Sequence, residues 1–274
     1  MRYLLIHYHV FKNAGSTVEY ILDKSFGECW TRFDGDDPNC VLRPADLLAM
    51  LRKNPRLLSL SSHQLRYPVP KMDGHVFFDL VFLRDPIDRI YSIYRHFRRQ
   101  PAPDDIMSQL SNSLPLGEFI SQLLTDYPQY VNDMQVNLLA NGGDYTRPPG
   151  VWDLDAATDV MRKSAVPGTL DCFNTSWVAA QYFLRPVFPM LDCRYVPQNV
   201  FTGADTILEQ RLRRVREECG KVIYQQLFEL NQLDTELVER TRQEVARRYN
   251  LVPDGLRRLQ ALEIGISQTL PSVG

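Results

Sequence analysis

A polar segment of seven residues lies between a predicted strand and a predicted helix and reads Phe11-Lys12-Asn13-Ala14-Gly15-Ser16-Thr17. A glycine lets the backbone approach an anion closely, and the first turn of a helix offers unpaired N–H groups at its positive dipole end. Lys12 adds a full charge, and Ser16 and Thr17 add hydroxyl donors. The segment therefore predicts a phosphate-binding loop. The alternative is a tight strand-to-helix turn that carries a surface lysine.

The loop differs from the Walker A pattern of P-loop nucleotide triphosphatases. That pattern has an earlier glycine four residues before a Gly-Lys pair, and its lysine directly precedes Ser or Thr. Here Lys12 precedes Gly15 and lies at the predicted end of the strand. This difference argues against a P-loop ATP- or GTP-dependent kinase, which is kept as an alternative. In that alternative, Asp85 would end a Walker B strand and lie near magnesium.

A second candidate anion site begins at Arg84, which follows a strongly apolar predicted strand over 76–83. Open α/β sheets place their ligands at the carboxyl ends of strands. Ser92 falls in the second turn of the next predicted helix, so an arginine fork and a hydroxyl could converge on one phosphate. Alternatively, Arg84 pairs with a nearby carboxylate. The other arginines of this segment could form a solvated helix face: Arg89, Arg95, Arg98 and Arg99. This interpretation is favoured for Arg98 and Arg99.

The predicted elements alternate between strand and helix in the first hundred residues. Strands are predicted over 3–11, 57–62 and 76–83, and helices over 16–25, 45–53, 86–98, 205–218, 221–230 and 234–249. This order predicts an α/β fold with a P-loop-like central parallel sheet, helices on both faces and a mostly helical C-terminal half. The prolines of 101–115 favour a mobile surface loop. The weak periodicity after Asn250 favours a loosely packed tail over 251–274.

Composition is ordinary for a globular protein, with 44% hydrophobic and 23% charged residues among 274. A single domain over 1–274 is expected. The net charge of −2 argues against binding a nucleic-acid polymer, and no apolar run reaches the roughly 20 residues of a membrane span. An export signal is not recognised, and the five scattered cysteines predict reduced thiols, so we expect a cytoplasmic monomer or homodimer.

Both anion segments resemble motifs of sulfotransferases that use 3′-phosphoadenosine 5′-phosphosulfate (PAPS), most of all the carbohydrate group with heparan sulfate 2-O-sulfotransferase and its bacterial relatives. The 5′-phosphosulfate loop of that family reads roughly His-x-Pro-Lys-Thr-Gly/Ala-Gly/Ser-Thr-Ser, and 9–17 is similar to it, with Phe11 and Asn13 in place of proline and threonine. The family's 3′-phosphate motif, Arg-Asp-Pro-x-x-Arg-x-x-Ser, matches 84–92 without a gap. Weaker likeness continues in 132–140, 168–176 and 230–234.

The resemblance implies transfer of a sulfuryl group from PAPS, as co-substrate, to a hydroxyl or amine of a carbohydrate or small-molecule acceptor, without a metal. It assigns the 5′-phosphate to Lys12, Asn13, Ala14, Gly15, Ser16 and Thr17, and the 3′-phosphate to Arg84 and Ser92. Lys12 would also neutralise the leaving group. Adenine contacts are assigned to 135–143. The pocket for the acceptor is expected to be lined by residues 27–44, 64–75 and 100–115.

His63 is the expected general base, because it follows the predicted strand 57–62, where the family often has a catalytic histidine. An imidazole with a pKa near 7 suits removal of a proton from a hydroxyl. His7 and His9 lie inside a predicted buried strand and are expected to be core histidines, and Glu19 is a reserve base. A nucleotide-binding protein without catalysis is a second alternative.

Overall fold

The computed structural model describes residues 1–37, 40–68, 71–99, 105–198 and 207–269. Its strands are β1 (Arg2–Tyr8), β2 (Trp30–Arg32), β3 (Ser59–Ser62), β4 (His75–Leu83) and β5 (Val166–Thr169). Its α-helices are α1 (Gly15–Phe26), α2 (Pro44–Lys53), α3 (Pro86–Arg99), α4 (Ile106–Ser113), α5 (Leu116–Asp126), α6 (Met134–Asn141), α7 (Val151–Lys163), α8 (Phe173–Leu184), α9 (Leu208–Glu229), α10 (Gln232–Tyr249) and α11 (Gly255–Thr269).

The five strands form one parallel sheet in the order β2-β3-β1-β4-β5. β1 lies at its centre, where Leu5 pairs with Ser59 of β3 on one side and with Phe78 of β4 on the other. Helices flank the sheet, and the C-terminal half is mostly helical. The predicted α/β fold is therefore confirmed.

The described residues divide into two compact units. The sheet unit comprises residues 1–83, 158–199 and 240–274 and contains all five strands, whereas the helical unit comprises 84–157 and 200–239. Each unit is assembled from separated stretches of chain. A single boundary in the sequence therefore cannot mark the division between the two units. The expected single domain over 1–274 contained no such division.

The core of the sheet unit lies between the sheet and three helices, α1, α8 and α11. The predicted apolar face of α1 is fully buried, with Val18, Ile21 and Leu22 each at 0% exposure. Burial of one such side chain stabilises the fold by roughly 1.5–3 kcal/mol. From α8, Trp177 stacks on Phe82 of β4 at 5.7 Å between ring centroids. These contacts fix the positions of the carboxyl ends of β1 and β4.

The segment after Asn250 forms a turn over 251–254 and then the helix α11. α11 packs on α8, and Val252, Leu262 and Ile266 are buried in the sheet-unit core. The described part of 251–274 is therefore packed, and residues 270–274 of the predicted tail lie outside the described residues.

Two features of the helical unit differ from the predicted elements. Residues 106–113 of the predicted loop 101–115 form α4, because Asp105 caps the helix by accepting a hydrogen bond from the Ser108 N–H at 2.9 Å. Residues 100–104 lie outside the described residues. The predicted helices 205–218 and 221–230 are continuous in α9, but the helix breaks at Gly220, whose φ of 69° is not helical, and this break falls where the prediction separates them. Residues 205 and 206 of the first are also outside the description.

Within the described residues, no helix is long and apolar enough to cross a membrane. This finding agrees with the predicted absence of a membrane span.

A pair of buried aspartates joins the first turns of α6 and α10 in the helical unit. Asp234 accepts hydrogen bonds from the N–H groups of Gln135 at 3.0 Å and Val136 at 2.7 Å, and Asp133 accepts one from the Asp234 N–H at 2.8 Å. Asp234 of α10 thus caps the first turn of α6, and Asp133, which precedes α6, caps the first turn of α10. Burial and the neighbouring Asp234 raise the pKa of Asp133 from its ordinary value near 3.8 to about 7.

Replacement of Asp133 by asparagine is expected to stabilise the protein above pH 7. Because the folded-state pKa of Asp133 is raised, the folded state binds more protons between about pH 4 and 7, and its stability falls as the pH rises through that window. Asparagine keeps the Oδ1 acceptor, carries no charge and tolerates the left-handed φ of 43° at this position. The expected gain is about 1–2 kcal/mol at pH 8 and about zero at pH 4.

Urea unfolding at pH 4 and pH 8 measures this gain. Asp126→Asn, a change at an exposed aspartate of the same unit, is the matched control and should alter stability by less than about 0.5 kcal/mol at either pH. A gain for Asp133→Asn that is equal at both pH values would contradict the assigned cause.

Candidate functional site

The loop between β1 and α1 turns through two residues in the left-handed backbone region, Lys12 with a φ of 68° and Ala14 with a φ of 62°. This conformation costs about 1–2 kcal/mol for a residue with a Cβ atom. Asn13 holds the turn in place. Its backbone N–H donates to the Val10 carbonyl at 3.1 Å, and its buried side-chain Nδ2 donates to the Phe82 carbonyl at 3.0 Å. The loop is therefore shaped by the fold before any ligand binds.

Two of the amides expected to hold a phosphate are used within the protein, those of Asn13 and Thr17. The Thr17 N–H donates to the Ala14 carbonyl at 2.9 Å, and the Thr17 hydroxyl accepts from the Gln198 N–H at 3.0 Å. In the described part of the chain, the amides of Gly15 and Ser16 have no such acceptor, as expected for the first turn of a helix. The anion-binding role therefore falls to the amides of Ala14, Gly15 and Ser16, the exposed Ser16 hydroxyl and Lys12.

Three histidines form a row at the carboxyl ends of β1 and β3. Alternate residues of a strand share a face, so His7 and His9 point to the same side of the sheet. Ring centroids are 5.1 Å apart for His7 and His9 and 3.7 Å apart for His9 and His63. His63 directly follows β3, so its predicted position at a strand end is confirmed.

The prediction that His9 lies inside a buried strand is wrong. β1 ends at Tyr8 rather than at residue 11, because the Val10 N–H bonds back to the Tyr8 carbonyl at 3.0 Å and the chain turns. The side chain of His9 is 9% exposed and lies at the strand end, whereas His7 is fully buried within β1, as predicted.

Each of the two stacked imidazoles is paired with a carboxylate. His63 Nδ1 lies 3.1 Å from Asp34 Oδ2, and the backbone N–H of His63 donates to Asp34 Oδ1 at 2.8 Å. His9 Nδ1 lies 2.9 Å from Glu19 Oε1, and Arg32 Nε donates to Glu19 Oε2 at 2.8 Å. Sequence reasoning missed Asp34 and Arg32, because nothing in their spacing along the chain marks these long-range contacts.

These pairs set the charge of the row. Burial alone would raise the pKa of Asp34, but hydrogen bonds from His63 and Ser62 outweigh it and hold that pKa at about 2. Burial lowers the pKa of His7 and His9, although Glu19 acts in the opposite direction on His9. The side chain of His63 is 40% exposed. A neutral His63 that donates Nδ1–H to Asp34 carries its lone pair on Nε2, which is the arrangement of a general base.

The glycine of the loop is required by His9. A Cβ atom added at Gly15 would lie 1.7 Å from His9 Nε2, so no larger residue fits beside that ring. The sequence assigned Gly15 to the approach of an anion, and the structure supplies this additional reason. His63, His9 and Gly15 consequently form one continuous line of contacts from the candidate base to the candidate anion loop.

In the helical unit, two arginines share one buried carboxylate. Arg84 Nε donates to Asp88 Oδ2 at 2.7 Å, and Arg211 Nη2 donates to the same oxygen at 3.0 Å. The three side chains are 6%, 2% and 11% exposed for Arg84, Asp88 and Arg211. The ion pair considered as an alternative for Arg84 is therefore present. Ser92, also in this unit, is buried in α3.

Gln135 fixes the backbone of Arg84. Its Oε1 accepts from the Arg84 N–H at 3.0 Å and its Nε2 donates to the Arg84 carbonyl at 2.8 Å. Gln135 is 0% exposed and its amide is committed to Arg84, so adenine contacts within 135–143 would fall to other residues of that segment. Neither this role nor that of Arg211 in α9 had a signal in the sequence.

The arginines that follow Arg84 in α3 have different environments. Arg89 is fully buried and donates to the Tyr130 carbonyl, so the alternative of a solvated face does not hold for this residue. Arg98 and Arg99 are exposed, as the sequence favoured. Asp85, the Walker B candidate, accepts from the Asp88 N–H at 2.9 Å and thereby caps α3.

Comparison with known proteins assigns neither a family nor an activity. No protein-family model matches the chain. An uncharacterized protein of Archaeoglobus fulgidus is similar to it, with 27% identity over 248 residues, which cover 87% of this chain and 96% of that protein. The functional conclusion therefore depends on the geometry of the residues themselves.

Proposed function

We propose that the protein is a sulfotransferase that moves a sulfuryl group from PAPS to a hydroxyl of a carbohydrate or small-molecule acceptor. The observation that carries the proposal is the line of contacts from Asp34 through His63 and His9 to Gly15. A base held by a carboxylate thus stands next to a loop suited to an anion. In-line transfer to a hydroxyl requires both groups at neighbouring positions.

The reaction needs three actions from the chain. The amides of Gly15 and Ser16 and the ammonium of Lys12 bind the 5′-phosphate and neutralise the charge that accumulates there as the bond from sulfur to the phosphate oxygen breaks. His63 Nε2 accepts the proton of the acceptor hydroxyl as that oxygen bonds to sulfur. Asp34 stabilises the resulting imidazolium. The product of the donor is adenosine 3′,5′-bisphosphate.

The 3′-phosphate is the group that distinguishes this donor from ATP, and the proposal assigns it to Arg84 and Ser92. Arg84 and Arg211 both contact Asp88 in a buried cluster, and guanidinium groups make strong, directional hydrogen bonds with phosphate. Asp85 is used as a helix cap, which argues against its role as a magnesium ligand in the kinase alternative. No metal takes part in the proposed transfer.

Adenosine 3′,5′-bisphosphate is expected to raise the melting temperature by roughly 5–10 °C when present at about 100 times its Kd in a chelating buffer. ATP with Mg²⁺ should give a much smaller rise. His63→Ala should keep this stabilisation and lose roughly 10²- to 10⁴-fold in sulfate transfer to a panel of hydroxyl acceptors, because only the base is removed. Differential scanning fluorimetry and a radiolabelled-sulfate assay measure the two effects.

His75→Ala is the matched control, since His75 lies at the start of β4 and outside the histidine row. A preference for ATP with Mg²⁺ would support the kinase alternative. Stabilisation by the bisphosphate with no transfer to any acceptor, or transfer unchanged in His63→Ala, would contradict the proposed catalytic role.

A further inference from the structure

Three side chains with metal-binding groups meet near the carboxyl end of β1 in the sheet unit. His7 and His9 come from β1 and its end, and Glu19 comes from α1. In the described part of the chain, these residues form a group in which one ligand atom from each lies within 4.8 Å of the others. We propose that His7, His9 and Glu19 form a binding site for a divalent transition-metal ion, with Zn²⁺ as the best match.

The distances suit a zinc ion. Zinc binds imidazole nitrogen and carboxylate oxygen at about 2.0–2.2 Å, so ligand atoms of a tetrahedral site stand roughly 3.3 Å apart. His9 Nδ1 and Glu19 Oε1 are already 2.9 Å apart. All three ligand atoms lie within 4.8 Å of one another, so rotations of the side chains could bring them to zinc-binding distances. Two histidines and one glutamate leave a fourth position open, as in catalytic zinc sites.

The surroundings of the three residues have the form of an outer shell around a metal. Histidine ligands commonly use their second ring nitrogen in a hydrogen bond that fixes the ring. His7 Nδ1 lies 3.0 Å from the Ser61 hydroxyl oxygen in this way. Arg32 holds Oε2 of Glu19 at 2.8 Å, which leaves Oε1 directed toward His9. The ligand atoms are therefore oriented before an ion binds.

The protonation states agree with metal binding. A metal requires neutral imidazoles and an ionised carboxylate. The burial that lowers the pKa of His7 and His9 keeps both rings neutral near pH 7, and contacts with His9 and Arg32 lower the pKa of Glu19 against the effect of its burial. Binding does not depend on the proposed sulfate transfer, for which the resemblance implies no metal.

Titration of metal-stripped protein with ZnCl₂ by calorimetry tests the site. We expect one ion per chain, and Glu19→Gln and His9→Ala should each weaken binding at least tenfold. Glu28→Gln changes an exposed glutamate and His75→Ala a histidine outside the row, so both should bind as the wild type does. Circular dichroism melts check that each variant is folded. Failure to bind zinc, or equal binding by all variants, would overturn the proposal.

X-ray absorption at the zinc edge of the wild-type protein gives a second test that needs no variant. Scattering from imidazole and oxygen alone is expected. Sulfur in the coordination shell would instead place the ion on the cysteines and overturn the site. Because neither measurement uses a nucleotide or an acceptor, a negative outcome here leaves the sulfotransferase proposal unaffected, and the reverse also holds.

Discussion

Replacement of Arg84 by alanine is expected to weaken the binding of adenosine 3′,5′-bisphosphate by roughly 30- to 5,000-fold, because loss of one partner from a buried charged hydrogen bond costs about 2–5 kcal/mol. Adenosine 5′-phosphate, which lacks the 3′-phosphate, should bind the variant and the wild type equally. Calorimetry with both nucleotides separates a lost phosphate contact from a general defect. Turnover at saturating donor should fall by less than about tenfold.

Two further variants sharpen this test. Arg84→Lys keeps the charge but removes the guanidinium fork, so an intermediate loss is expected. Arg98→Ala removes an exposed arginine of the same helix and should leave both nucleotides unaffected. Equal weakening of both nucleotides in Arg84→Ala would mean that Arg84 only supports the fold through Asp88.

Lys12→Ala is expected to lower kcat by roughly 10²- to 10³-fold while the KM for the donor changes by less than about fivefold. Charge on the leaving 5′-phosphate grows as the bond to sulfur breaks, so an ammonium there acts mainly in the transition state. Alanine is chosen because it retains a Cβ atom and so keeps the backbone cost of the φ of 68° at this position, which glycine would remove. Steady-state kinetics with varied donor measures both parameters.

Lys12→Arg should restore part of the turnover because the charge is kept. Lys53→Ala, at the exposed end of α2, is the matched control for loss of a lysine. The two alanine variants are expected to differ, because Lys12→Ala lowers mainly kcat and Arg84→Ala lowers mainly donor affinity. If both alanine variants lost kcat and donor affinity in equal measure, the assignment of separate roles to Lys12 and Arg84 would be wrong.

The parts of the fold that depend on local patterns were predictable from the sequence. Apolar spacing in α1 identified Val18, Ile21 and Leu22, all of which are buried. Alternating strands and helices predicted the parallel sheet, and this in turn placed His63 at a strand end. The strands β2 and β5 and the helices α4, α5, α6, α7, α8 and α11 were not predicted. β2 is only three residues long, and a single cap at Asp105 outweighs the turn-forming prolines before α4.

The partners of the site residues could not be predicted. Asp34 reaches His63 across 29 positions and Arg211 reaches Asp88 across 123, and no periodic pattern links such pairs. The same limit applies to His9, whose environment depends on Glu19 and Gly15 after the chain turns. Residue types and strand ends therefore indicated where chemistry is possible. The contacts that set protonation and orientation came from tertiary packing.

The imidazole seated against the loop glycine restricts how this chain could diverge. A protein that keeps histidine at position 9 has no room for any side chain at position 15. Mutational drift at either site is therefore conditional on the other, and a change at the glycine becomes tolerable only after the ring has first been replaced by something smaller. Relatives with a residue larger than glycine at position 15 should carry a residue smaller than histidine at position 9.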